Sequence, residues 1–302
     1  MLHDVLAWPN LCDAWECIAE NGGAPGADAM TVRRFARHWQ QNLRRLQRLV
    51  AEERYRPGRL RRVAIPKRSG GWRRLAIANV GDRVLQRAVL NLLDDRCERL
   101  FLDCSYGYRQ GRSLHDAVRR VVAWRDAGQR WLVDADIDDC FGAIPHGPLL
   151  DRLRPIADDA ALLALIGQWL HQGRSAANPD RGLALGMPIS PLLCNLYLHE
   201  LDHRLTRRNR HIVRYADDFV ICCSSPELAK RVQDEVTMIL ASMSLQIEPT
   251  KSRLTSFNEG FDFLGVHFEH ELVSFEWQGK RQSFIGVAPA WLWSRMPHGY
   301  AS

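Results

Sequence analysis

Apolar positions in this chain follow two rhythms, one recurring every three to four residues and one alternating, and the changes of rhythm divide it into elements. Residues 2–22 and 30–54 carry the helical rhythm, the second with Phe35, Trp39, Leu43, Leu46 and Val50 at that spacing. Between them NGGAPGAD, with Gly22, Gly23, Pro25 and Gly26, predicts a loop. RLRRVAIPKRSGGWRRLAIA predicts two short strands around a Ser69-Gly70-Gly71 turn. Helices are expected over 82–101, over 113–127 with Ser113 as N-cap, over 146–172, and over 226–243. GLALGMPISP is a Gly- and Pro-punctuated loop leading into the helical run PLLCNLYLHELDHRL. WLVDADI reads as a buried strand with acids inside it, HIVRYADDFVICC as two strands flanking an acidic pair, and FDFLGVHFEHELVSFEW alternates as strands do. The chain shows no internal repeat and no low-complexity linker.

Composition narrows the class. The 302 residues are 46% hydrophobic and 25% charged, a globular balance that excludes disorder, collagen or coiled coil as the whole answer. No window approaches about eighteen consecutive apolar residues, and the start of the chain lacks a basic stretch followed by an apolar run. Neither a membrane span nor a secretory signal is expected, and the location expected is cytoplasmic. The eight cysteines form no CxxC pair, so free thiols are favoured over a zinc site or a disulfide framework. Net charge is +6, yet residues 33–74 hold fifteen Lys and Arg against Glu52 and Glu53, about +13, which leaves about −7 for the rest. One such run can be a solvated helix face. This one continues from a helical segment into the strand pair, which favours a footprint for a polyanion.

The candidate chemistry lies in carboxylates set where carboxylates are costly. Asp134 and Asp136 are two apart in an apolar strand, so alternation places them on one face. Asp217 and Asp218 lie between the apolar runs HIV and FVICC, at what reads as a hairpin tip. A lone acidic pair at a turn is most often only a turn, because Asp is common there. Buried carboxylates, however, are paired, cap something, or hold a metal, and Mg2+ suits several Asp from separate segments together with substrate phosphates. Two-metal phosphoryl transfer follows as the chemical expectation.

Eight blocks in order, NGGAPGAD, IPKRSGGWRRLAIANVGDRVLQRAV, SYGYRQGRSLHDA, DADIDDCFGAIPH, GLALGMPISPLLCNLYLHELD, VRYADDFVI, LQIEPTKSR and GFDFLGVHF, resemble reverse transcriptases of the bacterial group II intron lineage from about residue 20 to 268. The resemblance implies an α+β right-hand polymerase fold whose antiparallel palm sheet carries the YADD hairpin. It implies fingers and an N-terminal extension over 1–110, a palm over 111–256, and a primer-grip segment with a short tail over 257–302. It further implies RNA-directed DNA polymerase activity with two Mg2+ ions, Mn2+ being able to substitute, on an RNA template and primer duplex with deoxynucleoside triphosphates. Asp136, Asp217 and Asp218 match the catalytic carboxylates, with Ile137 beside them in the metal and nucleotide set. Lys67 and Arg74 match the fingers residues that clamp the triphosphate, where either alone could be a solvated cation. Phe141 matches the aromatic that excludes a ribose 2′-hydroxyl, although an aromatic after a strand is most often core. Leu185 and Gly186 fall in the nucleotide-binding loop. Lys251 matches the lysine that protonates pyrophosphate, and Phe263, Leu264 and Gly265 match the primer grip. Trp72, at the hairpin turn, is the one aromatic singled out here for nucleic-acid contact.

Two departures stand beside these matches. The family loop usually reads PQG where this chain has Ala184-Leu185-Gly186, so Leu185 removes an amide from the nucleotide site and lower fidelity is expected. Only 37 residues follow Gly265, too few for a three-helix thumb, so a vestigial or absent thumb is expected. The wording of RLAIANVGDRVLQRAV, WLVDADIDDCF and SFNEGFDFLGVHF is most similar to reverse transcriptases of CRISPR adaptation, which implies a spacer integrase complex as partner. A retron or phage-defence enzyme, an intron-derived remnant, and a non-catalytic RNA-binding module stay open as alternatives. The tail, with Trp291, Trp293 and Pro297, is open to docking on a partner or on the palm.

Overall fold

The structure is a computed structural model that describes residues 1–66, 71–174, 178–250, 252–278 and 280–287. In chain order its first elements are α1 (Leu2–Val5), α2 (Trp8–Asn21), α3 (Val32–Ala36), α4 (Trp39–Ala51), β1 (Arg61–Pro66), β2 (Trp72–Ile77) and α5 (Val80–Glu98). Then come α6 (Leu114–Asp126), β3 (Trp131–Asp136), α7 (Cys140–Ala143), α8 (His146–Ala157), α9 (Ala160–Gly173) and α10 (Ser190–Arg207). The remainder is β4 (His211–Tyr215), β5 (Asp218–Cys223), α11 (Pro226–Ser242), β6 (Arg253–Ser256), β7 (Phe261–Phe263), β8 (Val266–Glu269), β9 (Leu272–Trp277) and β10 (Lys280–Ile285).

Three helices expected as single runs are divided. The run 2–22 breaks before α2 because Pro9 lacks an N–H and sits in that helix's first turn. The run 30–54 is split into α3, capped by the Thr31 hydroxyl accepting from the Arg34 N–H, and α4. The run 146–172 breaks at Asp158, which is left-handed at φ 37°, and Asp159 then caps α9 by accepting from the Leu162 N–H at 3.0 Å. β6 and β10 were not expected.

The chain forms two units, each assembled from two separated segments: 1–100 with 141–197, and 101–140 with 198–302. In the first unit α5 is the central helix, packed against α2 with Val84, Leu85, Ala88, Val89 and Leu93 fully buried. Three of its polar residues, Asp82, Arg83 and Gln86, are buried too. Tyr55 donates its hydroxyl to Asp82 at 2.6 Å, Trp169 donates its indole N–H to the Tyr55 oxygen at 3.0 Å, and the Gly58 N–H donates to Asp82 at 3.0 Å. Burial pushes the Asp82 carboxyl up to about 6 even against those bonds. The β1–β2 hairpin runs in register from Arg61 opposite Ile77 to Pro66 opposite Trp72.

The second unit holds two antiparallel sheets, ordered β4-β5-β3-β6 and β10-β9-β8-β7. One apolar cluster unites α6 (Val118, Val121), the first sheet (Leu132, Val213, Val220, Cys222) and the second (Phe261, Phe263, Phe268, Phe275). The alternate residues Val133, Ala135, Phe219 and Ile221 are buried as well, and α11 packs on β3, β5 and β6. A sheet covered on both faces explains why these strands read as continuous apolar runs rather than as alternation.

Candidate active site

Antiparallel register, not proximity in sequence, assembles the acidic site. Asp136, last in β3, lies directly opposite Asp218, first in β5, and Asp218 is in turn opposite Tyr215 of β4. The β4–β5 connection is therefore the two-residue turn Ala216-Asp217, with Ala216 at φ 59°. By the same pairing Asp134 and Asp136 share a face with Val220 and Asp218, as their spacing predicts. On that face Leu132, Val220 and Cys222 belong to the apolar cluster that also holds Phe263 and Leu264.

The neighbours of Asp136 fix its backbone. Its N–H donates to the Ser252 hydroxyl at 3.2 Å and its carbonyl accepts from the Glu248 N–H at 2.9 Å. Ile137, buried, bridges Ile247, and the Asp138 N–H donates to the Gln246 carbonyl at 3.0 Å. The segment 246–248 thus lies along the end of β3, and a turn follows at 249–250. Asp134 pairs with Arg253 at 3.4 Å. Burial is the main reason its carboxyl rises to about 6; Arg253 pulls it down, while the charges of Asp136 and Asp262 add to the rise.

Phe263 pairs with Val266, so Leu264-Gly265 is also a two-residue turn, with φ 55° and 74°. Positive φ at both positions is what a tight hairpin matching sheet twist requires, and Gly265 meets it without strain.

In the first unit the nucleotide-binding matches fall together in part. Arg74 is exposed on β2 opposite Ala64, and two residues on the Ala76 N–H donates to the Leu185 carbonyl at 2.6 Å. Gly186, at φ 101°, comes so close to β2 that a Cβ there would lie 2.9 Å from the Ala76 carbonyl oxygen. Phe141 is buried, and its carbonyl accepts from the Leu183 N–H at 2.7 Å. Trp72 is 68% exposed. Lys67, Lys251 and the tail from 288 lie outside the described residues.

Among the described residues no set of three or more carboxylate, imidazole or thiolate groups stands close enough to enclose a metal ion. The donors present are hard oxygens on two neighbouring strands and a turn. That open set suits Mg2+, which completes its shell with water and substrate phosphates.

Several contributors escaped sequence reasoning. Gly107 lies against the acidic turn, where a Cβ would come within 2.5 Å of the Ala216 nitrogen. Arg214 is wholly buried and ion-paired with the equally buried Asp202. An arginine inside HIVRYADDFVICC was the available signal, because a buried guanidinium demands a partner. For Ser252 and Glu248 the sequence offered no comparable sign.

A family model described as reverse transcriptase (RNA-dependent DNA polymerase) matches residues 65–268. Protein YkfC of Escherichia coli strain K12 is 28% identical over 94% of this chain and 88% of its own length. The group II intron-encoded protein LtrA of Lactococcus lactis subsp. cremoris is 35% identical over 49% of this chain, which spans only 25% of that relative. Among solved structures, telomerase from Candida albicans in complex with a fragment of telomeric RNA aligns with a TM-score of 0.58 at 12% identity, over 83% of this chain and 50% of the other, a likeness of fold. Mixed helices, antiparallel sheets and this neighbour give the chain the α+β, right-hand polymerase class of fold. With the family match running through both hairpins and the paired carboxylates, the chain belongs to the reverse transcriptase family.

Proposed function

We propose that this chain is an RNA-directed DNA polymerase that extends a primer along an RNA template by nucleotidyl transfer. The primer 3′-oxygen bonds to the α-phosphorus of a deoxynucleoside triphosphate, the bond to the β-phosphate oxygen breaks, and pyrophosphate leaves. The observation that supports this best is the register of Asp136 against Asp218, with Asp217 on the adjoining turn. Mg2+, or Mn2+ in its place, held there would lower the pKa of the 3′-hydroxyl and neutralise the triphosphate. Asp136, Asp217 and Asp218 would hold that ion, with Ile137 beside them. Lys67 and Arg74 bind triphosphate oxygens, and Phe141 lies against the sugar edge. Leu185 and Gly186 line the base. Lys251 gives a proton to the departing pyrophosphate, and Phe263, Leu264 and Gly265 support the primer end.

The finer setting is spacer acquisition, in which cDNA from RNA fragments passes to a CRISPR integrase complex. It is supported by the wording of three blocks, RLAIANVGDRVLQRAV, WLVDADIDDCF and SFNEGFDFLGVHF. The test is primer extension on RNA and DNA templates with Mg2+ and four deoxynucleotides, with and without a candidate integrase. Extension is expected from the wild type, and none from Asp217→Ala or Asp218→Ala; equal extension by those variants would refute the assignment.

A further inference from the structure

Arg214 is the fourth residue of β4, one before the tyrosine that pairs with Asp218, and its side chain is entirely shielded from water. Its guanidinium makes a fork with Asp202 of α10, Nε to Oδ1 at 2.8 Å and Nη2 to Oδ2 at 2.5 Å. Nη2 also donates to the Ser105 hydroxyl at 2.8 Å, and Nη1 donates to the Ala216 carbonyl at 2.8 Å. Ala216 is the first residue of the acidic turn, so a planar cation fixed by a buried carboxylate reaches the backbone beside Asp217. The backbone of Arg214 is held as well: its N–H donates to the Cys104 carbonyl and its carbonyl accepts from the Tyr106 N–H, both at 2.8 Å. The same short segment brings Gly107 against Ala216, at the separation that leaves no room for a side chain. The turn is thus held through the Ala216 carbonyl by Arg214 and packed against by Gly107.

Asp217 sits on that two-residue turn and Asp218 directly after it, so the turn's backbone sets where both carboxylates begin. Ala216 is moreover in the left-handed region, a conformation that residues other than glycine seldom adopt and that persists only where its surroundings impose it. We infer that Arg214 is a positioning residue for the acidic turn: held by Asp202 and Ser105, it sets the Ala216 carbonyl and thereby the direction in which Asp217 and Asp218 face. This rests on the polymerase function proposed above for its consequence in catalysis, but not for its geometry. Lysine keeps the charge yet lacks the planar fork that binds Asp202 and Ala216 together.

The experiment compares wild type, Arg214→Lys and Ser105→Ala. The second variant removes one hydroxyl from the guanidinium and keeps the ion pair, so it retains the fold even if the first does not. Amide hydrogen exchange is read for 214–219 against the rest of the β4-β5-β3-β6 sheet, alongside the Mg2+ concentration that gives half-maximal extension. Exchange at the turn is expected to rise at least tenfold in Arg214→Lys and severalfold in Ser105→Ala, with the central β3–β5 amides unchanged, and the half-maximal Mg2+ to rise in the same order. Turn exchange and Mg2+ dependence unchanged in both variants, with only the melting temperature lowered, would overturn the inference. If the wild type extends no primer, the proposed polymerase function fails, and the exchange comparison alone decides whether Arg214 positions the turn.

Discussion

At Gly107 a single methyl group would be too much: its Cβ would sit 2.5 Å from the Ala216 nitrogen and 3.0 Å from the Tyr215 carbonyl carbon, both backbone atoms that cannot swing aside. Gly107→Ala should therefore push the acidic turn rather than unfold the sheet. Displacements near 1 Å at reacting groups cost about 10²-fold in rate, so primer extension should fall by about that factor while far-ultraviolet circular dichroism is preserved. Leu185 offers a subtler test. Its carbonyl is bound to the Ala76 N–H, so its backbone is fixed and only the side chain distinguishes it from the glutamine that the family usually carries. Leu185→Gln should lower misincorporation, counted by sequencing the products, with little change in extension rate.

The pH behaviour of the first unit turns on how α5, α9 and the segment before β1 share one buried contact, Tyr55 with Asp82 and Trp169. The Asp82 carboxyl stands at about 6 in the folded chain against an ordinary 3.8. The folded state therefore holds its proton more tightly than the unfolded state, so the stability this group contributes is full below about pH 4 and is lost as pH rises through about 6. A melting temperature that falls between pH 5 and 7 in the wild type, and falls less in Asp82→Asn, is the expected result. Little of this was legible in the sequence, because an acid in the helical run VGDRVLQ looks like a solvated first-turn residue. The helical and strand rhythms did locate α5, α6, α10, α11 and the strands β3 to β5, where apolar spacing is dense and turns carry Gly or Asp. What they missed were interruptions set by one residue, Pro9 or Asp158, and strands such as β6 whose partner lies more than a hundred residues away. Within the site, the carboxylates were legible because acids in an apolar strand are conspicuous. Asp202 and Ser105 were not, since their partner is visible only once β4, α10 and the 104–106 segment are folded together.

Over the molecule as a whole the charge is lopsided, about +13 in residues 33–74 against about −7 elsewhere. Arg44, Arg45 and Arg48 are exposed on α4, and Arg62 and Arg74 on the β1–β2 hairpin. Binding to a single-stranded RNA should weaken as salt rises, and replacing Arg44, Arg45 and Arg48 by glutamine should reduce the slope of log K against log salt by about 2 if all three meet phosphates, as a filter-binding titration would show. The interleaving of the two units has a consequence for biosynthesis. The first unit needs 141–197 to complete it, so α1 to α5 emerge from the ribosome long before α8 and α9 exist. At roughly 5–20 residues per second the stretch from the end of α5 to the end of α9 takes roughly 4–15 s. Throughout it the side of α5 that α8 will cover has nothing to rest on, and the nascent chain exposes apolar surface that the finished unit hides.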